Sequence, residues 1–476
     1  MLVGVTEFDL AAAAVDAALA AGARYADARV VHRRTESMSA RNAEVDDLSQ
    51  QESSGLGVRA LVGSSWGFFA SPDRDHAADT GRRAAEIANA SARVAGPPLD
   101  LVDVPVRQDS WANAYRTDPG DVPISDKGDL LVAATKLMTE HGADLAQAGY
   151  STWDTSSWLV SSQGHRIDQR IVECGGQASA TAMGESESQR RSHGDTGTRG
   201  WELVDELDLL GNAPRLGEEA KALLTAPECP AGTTDLILGG QQMLLQIHES
   251  VGHAIELDRI LGWEAAFAGT SWLDLAQLGS LRYGSDLMNI TADPTIPGAL
   301  GSFGYDDEGT PARARDIVRD GIWVGVLAGR DSAALAGLDY AGSVRADGWA
   351  RLPMVRMTNV GLKPGPHTLE EIIAATDDGV FMDTNRSWSI DDRRLNFQFG
   401  CEIGWEVRNG KRGRMLRNPT YTGIGPTFWR SMDMLSSEVH AWGTPNCGKG
   451  QPSQIGHTGH PAAPARFKNV RVGVRA

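Results

Sequence analysis

The chain has 476 residues, which is longer than one hydrophobic core normally supports, so its length predicts two large domains. Its composition, 41% hydrophobic and 22% charged, is that of a globular protein, and no apolar run is long enough to cross a bilayer. The net charge of −17 argues against a surface built to bind nucleic acid. This average charge does not exclude a local cleft for peptides.

The four cysteines are widely spaced and form no Cys-x-x-Cys pair. This spacing is not that of a disulfide framework and is typical of a reducing compartment. The first 22 residues are rich in alanine, but they carry three acidic residues and lack the basic start of a signal peptide. We therefore predict a cytoplasmic protein without a membrane segment.

The first half of the chain is predicted to combine helices with antiparallel strands. Thr6 and Asp9 form a capping pattern, which predicts a helix that extends to about Ala21. The further elements predicted in chain order are strands at 25–32, 36–44 and 55–69, helices at 74–93 and 127–141, and strands at 150–159, 166–173 and 177–183. Residues 185–200 are polar and predict an exposed loop or hairpin tip. The helix predicted at 207–224 should be interrupted at Pro214.

The second half is predicted to be rich in strands and to contain one important helix. Pro227 and Pro230 predict a boundary, which gives an N-terminal α+β domain at 1–226 and a C-terminal β-rich domain at 227–476. The clearest strands of this domain are predicted at 235–238, 322–328, 342–344, 397–407 and 470–474. The predicted fold class is therefore α+β.

The most informative stretch follows the 235–238 strand and has apolar residues at helical spacing. It contains His248 and Glu249, with a second histidine at His253. This His-Glu-x-x-x-His pattern resembles the zincin signature His-Glu-x-x-His with one residue inserted. Alternatively, both histidines are ordinary residues of a helix surface or core.

The inserted residue changes the helix geometry that shared metal binding would require. Positions five apart in a regular α-helix point about 140° apart, so His248 and His253 could not meet one ion. A π-turn reduces this angle to about 50°, and Gly252 is where the helix deforms at least cost. Shared ligation therefore predicts a π-turn near Gly252. Glu249 would then lie beside the metal as a general base.

A third ligand must come from a distant part of the chain. Cys447 lies in a glycine-rich segment that predicts a loop, and Lys449 nearby would favour the thiolate form that binds zinc. Alternatively, Cys447 is a small buried apolar residue, an interpretation that suits Cys401 better.

Other polar residues near these motifs allow more than one interpretation. Glu256 is a metal ligand, a carboxylate that orients an imidazole, or a partner of Arg259 on the helix. His457 and His460 form a His-x-x-His pair that we interpret as solvated loop histidines. Residues 305–311 contain three adjacent carboxylates, which we interpret as part of an ordered loop without metal.

Taken together, these blocks resemble one known family. Residues 248–258, His-Glu-Ser-Val-Gly-His-Ala-Ile-Glu-Leu-Asp, resemble the defining motif of the TldD branch of the TldD/PmbA peptidases. Three further blocks resemble the family in the expected order, at 306–311 (Asp-Asp-Glu-Gly-Thr-Pro), 356–359 (Arg-Met-Thr-Asn) and 447–451 (Cys-Gly-Lys-Gly-Gln). The resemblance covers most of residues 230–476 and, more loosely, the N-terminal half.

The resemblance implies a zinc peptidase that acts on unfolded or linear peptides. It implies a dimer of protomers that each pair an N-terminal α+β domain with a C-terminal β-rich catalytic domain. The implied zinc ligands are His248, His253 and Cys447, and Glu249 is the implied base that activates a zinc-bound water. Since the PmbA (TldE) branch lacks the histidine motif, the chain resembles the metal-binding branch. Its partner would be a second copy or a TldE-like chain.

Two other functions remain open at the level of the sequence. The same residues would serve a zinc amidase that acts on a small molecule. They would also suit a partner or regulatory protein whose zinc is structural, with Glu256 as a fourth ligand. Three protein ligands leave one position for water, which favours catalysis.

Overall fold

The computed structural model describes residues 6–94, 96, 99–267 and 269–473. The architecture is α+β, as the sequence predicts, with long antiparallel strands and mostly short helices. Within the described residues, no helix combines the length and the apolar character needed to cross a membrane.

The N-terminal half is built on one large sheet covered by helices. Its elements are α1 (Glu7–Ala20), β1 (Tyr25–Arg41), β2 (Glu44–Val62), β3 (Ser65–Ser71), α2 (Ala77–Ala92), β4 (Gln108–Ala112), α3 (Ile124–Glu140), β5 (Leu145–Ser161), β6 (Arg166–Met183), β7 (Ser188–Gly197), α4 (Glu202–Leu207) and α5 (Leu209–Leu223). The strand order is β3-β2-β1-β5-β6-β4, and β7 pairs with β6. One hydrophobic cluster joins α1 and α2 to β1 and β2, and a second joins α3 and α5 to β5 and β6.

Several predictions for this half are wrong in detail, and β6, like β1, is one strand where two were predicted. β1 is one strand rather than two, because its polar middle, residues 33–37, is hydrogen-bonded to β2 on one edge and to β5 on the other. Residues 188–197 form a strand rather than a loop, since Arg191 is buried against Glu402 of the second half. The helix break lies at Asp208, whose φ of 44° is left-handed, and α5 passes through Pro214.

The C-terminal half contains a closed ring of strands. Its elements are β8 (Gly232–Leu238), α6 (Gly240–Ile247), a π-helical turn (His248–Gly252), α7 (Leu257–Ile260), β9 (Ile290–Ala292), β10 (Arg315–Arg319), β11 (Ile322–Trp323), α8 (Arg330–Ala336), β12 (Val344–Arg345), β13 (Met354–Val355), β14 (Val360–Leu362), α9 (Leu369–Ala374), β15 (Asp378–Ile390), β16 (Asn396–Arg408), β17 (Lys411–Leu416), β18 (Thr420–Ile424), α10 (Gly425–Arg430), β19 (Met432–Leu435), β20 (His440–Lys449), β21 (Gln454–Ala462) and β22 (Ala465–Val472). The ring follows β15-β8-β22-β18-β16 and returns to β15.

This ring positions the motif helix. α6 begins directly after β8, and its apolar face lies in the large core of the C-terminal half, with Met243, Ile247 and Val251 fully buried. β20 and β21 form a separate hairpin, and β21 packs against β14 and α6. The hairpin therefore brings a segment from late in the sequence, residues 440–462, beside the helix.

The predicted strands of this half differ mainly in their ends. The strand at 322–328 stops at Trp323, and the strand at 342–344 is instead β12. β22 begins earlier than predicted and ends at Val472, while residue 474 lies outside the described residues. The connection between the halves runs from Leu223 to Gly232, and the domain division at residue 226 stays a prediction.

Candidate metal centre

The His-Glu-x-x-x-His motif lies where the helix changes its hydrogen-bond pattern. The amide of His253 donates to the carbonyl of His248 at 3.1 Å, which is the i to i+5 bond of a π-helix. The two imidazole rings lie together, with centroids 4.8 Å apart. The π-turn predicted from the spacing is confirmed.

Gly252 has a packing role that the sequence does not reveal. A Cβ at this position would lie 2.0 Å from Sδ of Met357, a fully buried residue. A side chain at residue 252 would therefore have to displace Met357 from the core below the motif. The glycine allows this close approach as well as the helix distortion.

Cys447 completes a cluster of potential ligand atoms with the two histidines. Its Sγ lies 3.7 Å from Nε2 of His253, and the ligand atoms of His248, His253 and Cys447 all lie within 4.8 Å of one another. All three side chains are buried. Tetrahedral zinc with ordinary bond lengths holds nitrogen and sulfur ligands about 3.6 Å apart. The 3.7 Å separation of Sγ and Nε2 matches this value, and two imidazoles and a thiol are ligands that zinc prefers.

The cysteine lies on a strand, not in the predicted loop. It belongs to β20 and is paired with Gly456 of β21. Burial raises the pKa of its thiol, but His253 and Arg356 outweigh burial, so the pKa lies below its usual value. Arg356 also donates a hydrogen bond to the Cys447 carbonyl. The role expected of Lys449 is therefore wrong, because its ammonium group contacts carboxylates elsewhere and Arg356 stands beside the thiol.

The other three cysteines show no such environment. Burial raises the pKa of Cys174 to about 12 and that of Cys229 to about 11. Cys401 is fully buried on β16, and burial raises its pKa well above the usual value. These thiols are small core residues, as predicted for Cys401.

Glu256 contacts the outer side of the His253 ring. Its Oε2 lies 3.0 Å from Nδ1 of His253 and 3.3 Å from both Nζ of Lys449 and Nε of Arg259. Burial would raise the pKa of Glu256, but Lys449 and His253 lower it well below the usual range. The ionised carboxylate accepts a hydrogen bond from Nδ1–H, which leaves Nε2 facing Cys447. The pairings with an imidazole and with Arg259, weighed as alternatives from the sequence, occur together.

Glu249 lies beside His248 and is held by an arginine that sequence reasoning missed. Its Oε2 lies 2.7 Å from Nη1 of Arg394, and its residue is 6% exposed. Arg394 comes from the turn between β15 and β16, where it has a left-handed φ of 62° and Asp391 accepts the amide of Leu395. Since neither the turn conformation nor its approach to the motif is visible in the sequence, no signal marked Arg394.

The two C-terminal histidines are not solvated loop residues, so that interpretation is wrong. His460 is fully buried, with Nε2 2.8 Å from Nδ1 of His248 and Nδ1 2.8 Å from the carbonyl oxygen of Val360. His457 is partly buried, with Nδ1 2.9 Å from Glu173. Both lie on β21, whose packing against α6 and β14 buries His460, while His457 contacts β6 of the N-terminal half.

The acidic segment 305–311 is held by the protein's own donors. Asp306 accepts the amides of Glu308 and Thr310 at 3.0 and 2.9 Å. Glu308 accepts hydrogen bonds from Arg59 at 3.2 Å and from the hydroxyl of Tyr340 at 2.7 Å. The segment thus ties the N-terminal sheet to the C-terminal half.

A cavity of about 350 Å³ lies between the two halves, with walls from both of them. Leu244 of α6, one helical turn before His248, and Asn446, directly before Cys447, both line it. Its other walls come from β5, β6, β7 and β15. The cavity therefore meets the two segments that carry His248 and Cys447, although these two side chains do not line it.

Comparisons with known proteins agree over nearly the whole chain. Models of PmbA/TldA metallopeptidases match domain 1 at 26–88, the central domain at 117–226 and the C-terminal domain at 231–473. A metalloprotease of Methanocaldococcus jannaschii is 27% identical over 438 residues, which cover 91% of this chain and 94% of that protein.

Two solved structures share the fold. A candidate modulator of a DNA gyrase from Thermotoga maritima has a TM-score of 0.79 at 16% identity, covering 98% of this chain and 100% of the other. TldE from Thermococcus kodakarensis has a TM-score of 0.73 at 17% identity, covering 96% and 98%. The family models span most of the chain, and the ligand cluster lies within the C-terminal match. The chain therefore belongs to the PmbA/TldA family of metallopeptidases.

Proposed function

We propose that this protein is a zinc peptidase that hydrolyses linear or unfolded peptides. The observation that carries the proposal is the convergence of His248, His253 and Cys447, all buried, with Glu249 adjacent in the helix. Imidazole and thiolate ligands together favour zinc over the harder magnesium or calcium ions. Because Glu256 contacts the outer side of His253, it supports this ligand rather than completing a closed structural site.

Glu249 is the residue we propose as general base. Zinc, when bound, supplies a Lewis acid that activates water and polarises a peptide carbonyl. Glu249 accepts the proton of the attacking water and passes it to the leaving amine. Arg394 holds the carboxylate in a fixed direction through the 2.7 Å contact, so the base does not have to be reoriented for each turnover.

The neighbouring cavity is suited to an extended peptide. Its lining combines amides with aromatic rings, among them Gln177, Asn385, Trp153 and Trp442. Several glycines also line it, and they let a substrate backbone approach closely (Gly149, Gly175, Gly176, Gly194 and Gly443). A folded protein presents few segments that could enter such a groove, so we propose linear peptides as substrates.

We also propose that the protein acts as a cytoplasmic dimer. The partner is a second copy or a TldE-like chain, and the likeness to TldE of Thermococcus kodakarensis supports this at the level of the fold. Four unpaired, buried cysteines are typical of a reducing compartment. The net charge of −17 supports a function without nucleic acid.

The test combines metal analysis with cleavage of a peptide library by the wild type and Glu249→Ala. We expect about one zinc per chain in both proteins, and cleavage of linear peptides only by the wild type. A stable folded domain, offered as a control substrate, should remain intact. Bound zinc without any cleavage would instead support a structural zinc, and cleavage confined to small amides would support an amidase. Sedimentation of the active protein as a monomer would contradict the dimer.

A further inference from the structure

The two histidines of the ligand cluster have different partners at their outer nitrogens. Nδ1 of His253 contacts the carboxylate of Glu256 at 3.0 Å, whereas Nδ1 of His248 contacts Nε2 of a third imidazole, His460, at 2.8 Å. Metal-bound histidines usually donate this second N–H to a carboxylate, a carbonyl or water. The imidazole behind His248 is a departure from that pattern.

The hydrogen bonds of His460 define which of its nitrogens carries the proton. Nδ1 lies 2.8 Å from the carbonyl oxygen of Val360, and a carbonyl can only accept, so this nitrogen is protonated. The ring is fully buried, and its hydrogen-bond partners are Val360, His248 and the hydroxyl of Thr458, none of them a carboxylate. A buried ring with such partners is neutral. Its Nε2 is therefore an acceptor.

This arrangement decides the tautomer of His248. Since Nε2 of His460 accepts, Nδ1 of His248 must donate, and Nε2 of His248 keeps its lone pair. We propose that His460 is a positioning residue that fixes His248 in the Nδ1–H tautomer, with Nε2 directed to the metal. The inference rests on the metal site of the proposed function, but it does not depend on peptide hydrolysis.

Charge explains why an imidazole suits this position. The carboxylate of Glu256 is already compensated by Lys449 and Arg259, all of them buried. A second buried carboxylate behind His248 would need a cation of its own, because an uncompensated charge is costly in the interior. A neutral histidine orients the ligand without adding charge.

A glutamine at position 460 should preserve this function. Its amide oxygen can accept from Nδ1 of His248, and its amide N–H can donate to the carbonyl of Val360. Leucine offers neither group. His457→Leu is the matched control, because His457 belongs to the same strand but contacts Glu173 on the other side of the hairpin.

The first experiment measures zinc affinity of the full chain by competition with a chromophoric chelator. We expect His460→Leu to bind zinc about 10 to 100 times more weakly, as for loss of other partners of metal-bound histidines. His460→Gln should keep most of the affinity, and His457→Leu should match the wild type. Wild-type affinity in His460→Leu, or an equal loss in the leucine and glutamine variants, would overturn the proposal.

A second measurement decides the question if His460→Leu fails to fold. Nitrogen-15 spectra of histidine-labelled, metal-free wild type should show both His248 and His460 as Nδ1–H tautomers. A signal of an Nε2–H tautomer for His460 would overturn the proposal. Normal zinc binding with absent peptide cleavage would contradict the proposed peptidase function and leave this inference standing.

Discussion

The ligand cluster and the acidic segment 305–311 are both buried groups of metal-binding residue types, but they differ in how their atoms are satisfied. In the acidic segment, Glu308 accepts hydrogen bonds from Arg59 and Tyr340, and Asp306 accepts hydrogen bonds from three backbone amides. In the ligand cluster, Sγ of Cys447 and Nε2 of His253 face each other at 3.7 Å, while supporting partners occupy the outer nitrogens.

The comparison shows that residue type alone does not indicate a metal site. Carboxylates that already accept hydrogen bonds from arginine, tyrosine and amides use their oxygen lone pairs for contacts within the protein. Imidazoles whose outer nitrogens are bonded have their lone pairs directed inward. A candidate metal centre is therefore recognised by ligand atoms whose lone pairs point at one another. In a link between domains, the same atom types are bonded to donors of the protein.

The largest effect should come from Glu249, the proposed base beside the ligand cluster. Glu249→Gln keeps the shape of the side chain but removes its proton affinity, so we expect peptide cleavage to fall by roughly two to four orders of magnitude. Zinc content should be nearly unchanged. Elemental mass spectrometry measures the zinc, and a fluorogenic peptide assay measures the cleavage. Retained activity would mean that Glu249 is not the base. Lost zinc would mean that it is a ligand.

The next effect concerns the distinction between the cysteines. Cys447→Ser replaces a thiolate with a hydroxyl, and we expect a loss of zinc affinity beyond the roughly 10 to 100-fold typical of an outer-sphere partner. Cys401→Ser is the control, since this thiol is buried on β16 apart from the ligand cluster. Equal zinc retention by the two variants in chelator competition would remove Cys447 from the ligand set.

The acidic segment should respond in stability and not in metal binding. Glu308→Gln weakens a buried ion pair, and we expect the free energy of unfolding to fall by about 3 kcal/mol. This is the low end for such pairs, because Arg59 retains its ion pair with Asp27. Zinc content should stay constant. The control Glu140→Gln alters an exposed residue and should change stability by less than about 0.5 kcal/mol. Urea denaturation measures the stability of both variants. Loss of zinc in Glu308→Gln would contradict the expectation that the acidic segment does not contribute to metal binding.

The smallest effect is a pH dependence confined to the acidic segment. Burial and the neighbouring Glu308 raise the pKa of Asp306 from its ordinary value of 3.8 to about 7. Between these values the folded state holds a proton that the unfolded state has released, so the stabilising contribution is complete below pH 3.8 and is lost as the pH rises to about 7. Urea denaturation of the wild type and Asp306→Asn between pH 5 and 7.5 should show a weaker decline in the variant. Parallel curves would contradict the shifted pKa.

The sequence predicted those features of the site that depend on local spacing. The five-residue interval between His248 and His253 requires a π-turn, and the structure contains one. Cys447 was a candidate third ligand from its glycine-rich segment, but only the family resemblance selected it over a buried core residue, because no local pattern links residues 194 positions apart. Arg394 and the burial of His460 were missed for the same reason, since contacts between distant elements determine them.

The errors in the fold have a similar cause. Residues 188–197 are polar and were predicted to be exposed, yet Arg191 lies buried with Glu402 on β16. A strand whose polar side chains are paired across the two halves has the composition of a loop. Apolar periodicity predicted the long helices α1, α2, α3 and α5 but not the short helices of 6 or 7 residues, and paired polar strands gave no such signal.

The long separation between His253 and Cys447 also affects synthesis of the protein. At about 5 to 20 residues per second, a ribosome needs roughly 10 to 40 s to add the 194 residues between them. During that interval the nascent chain carries two imidazoles and the base but not the thiol. The hairpin of β20 and β21 must then form and dock before all three ligands meet. The order of translation thus delays assembly of the proposed metal centre until most of the protein that encloses it has been made.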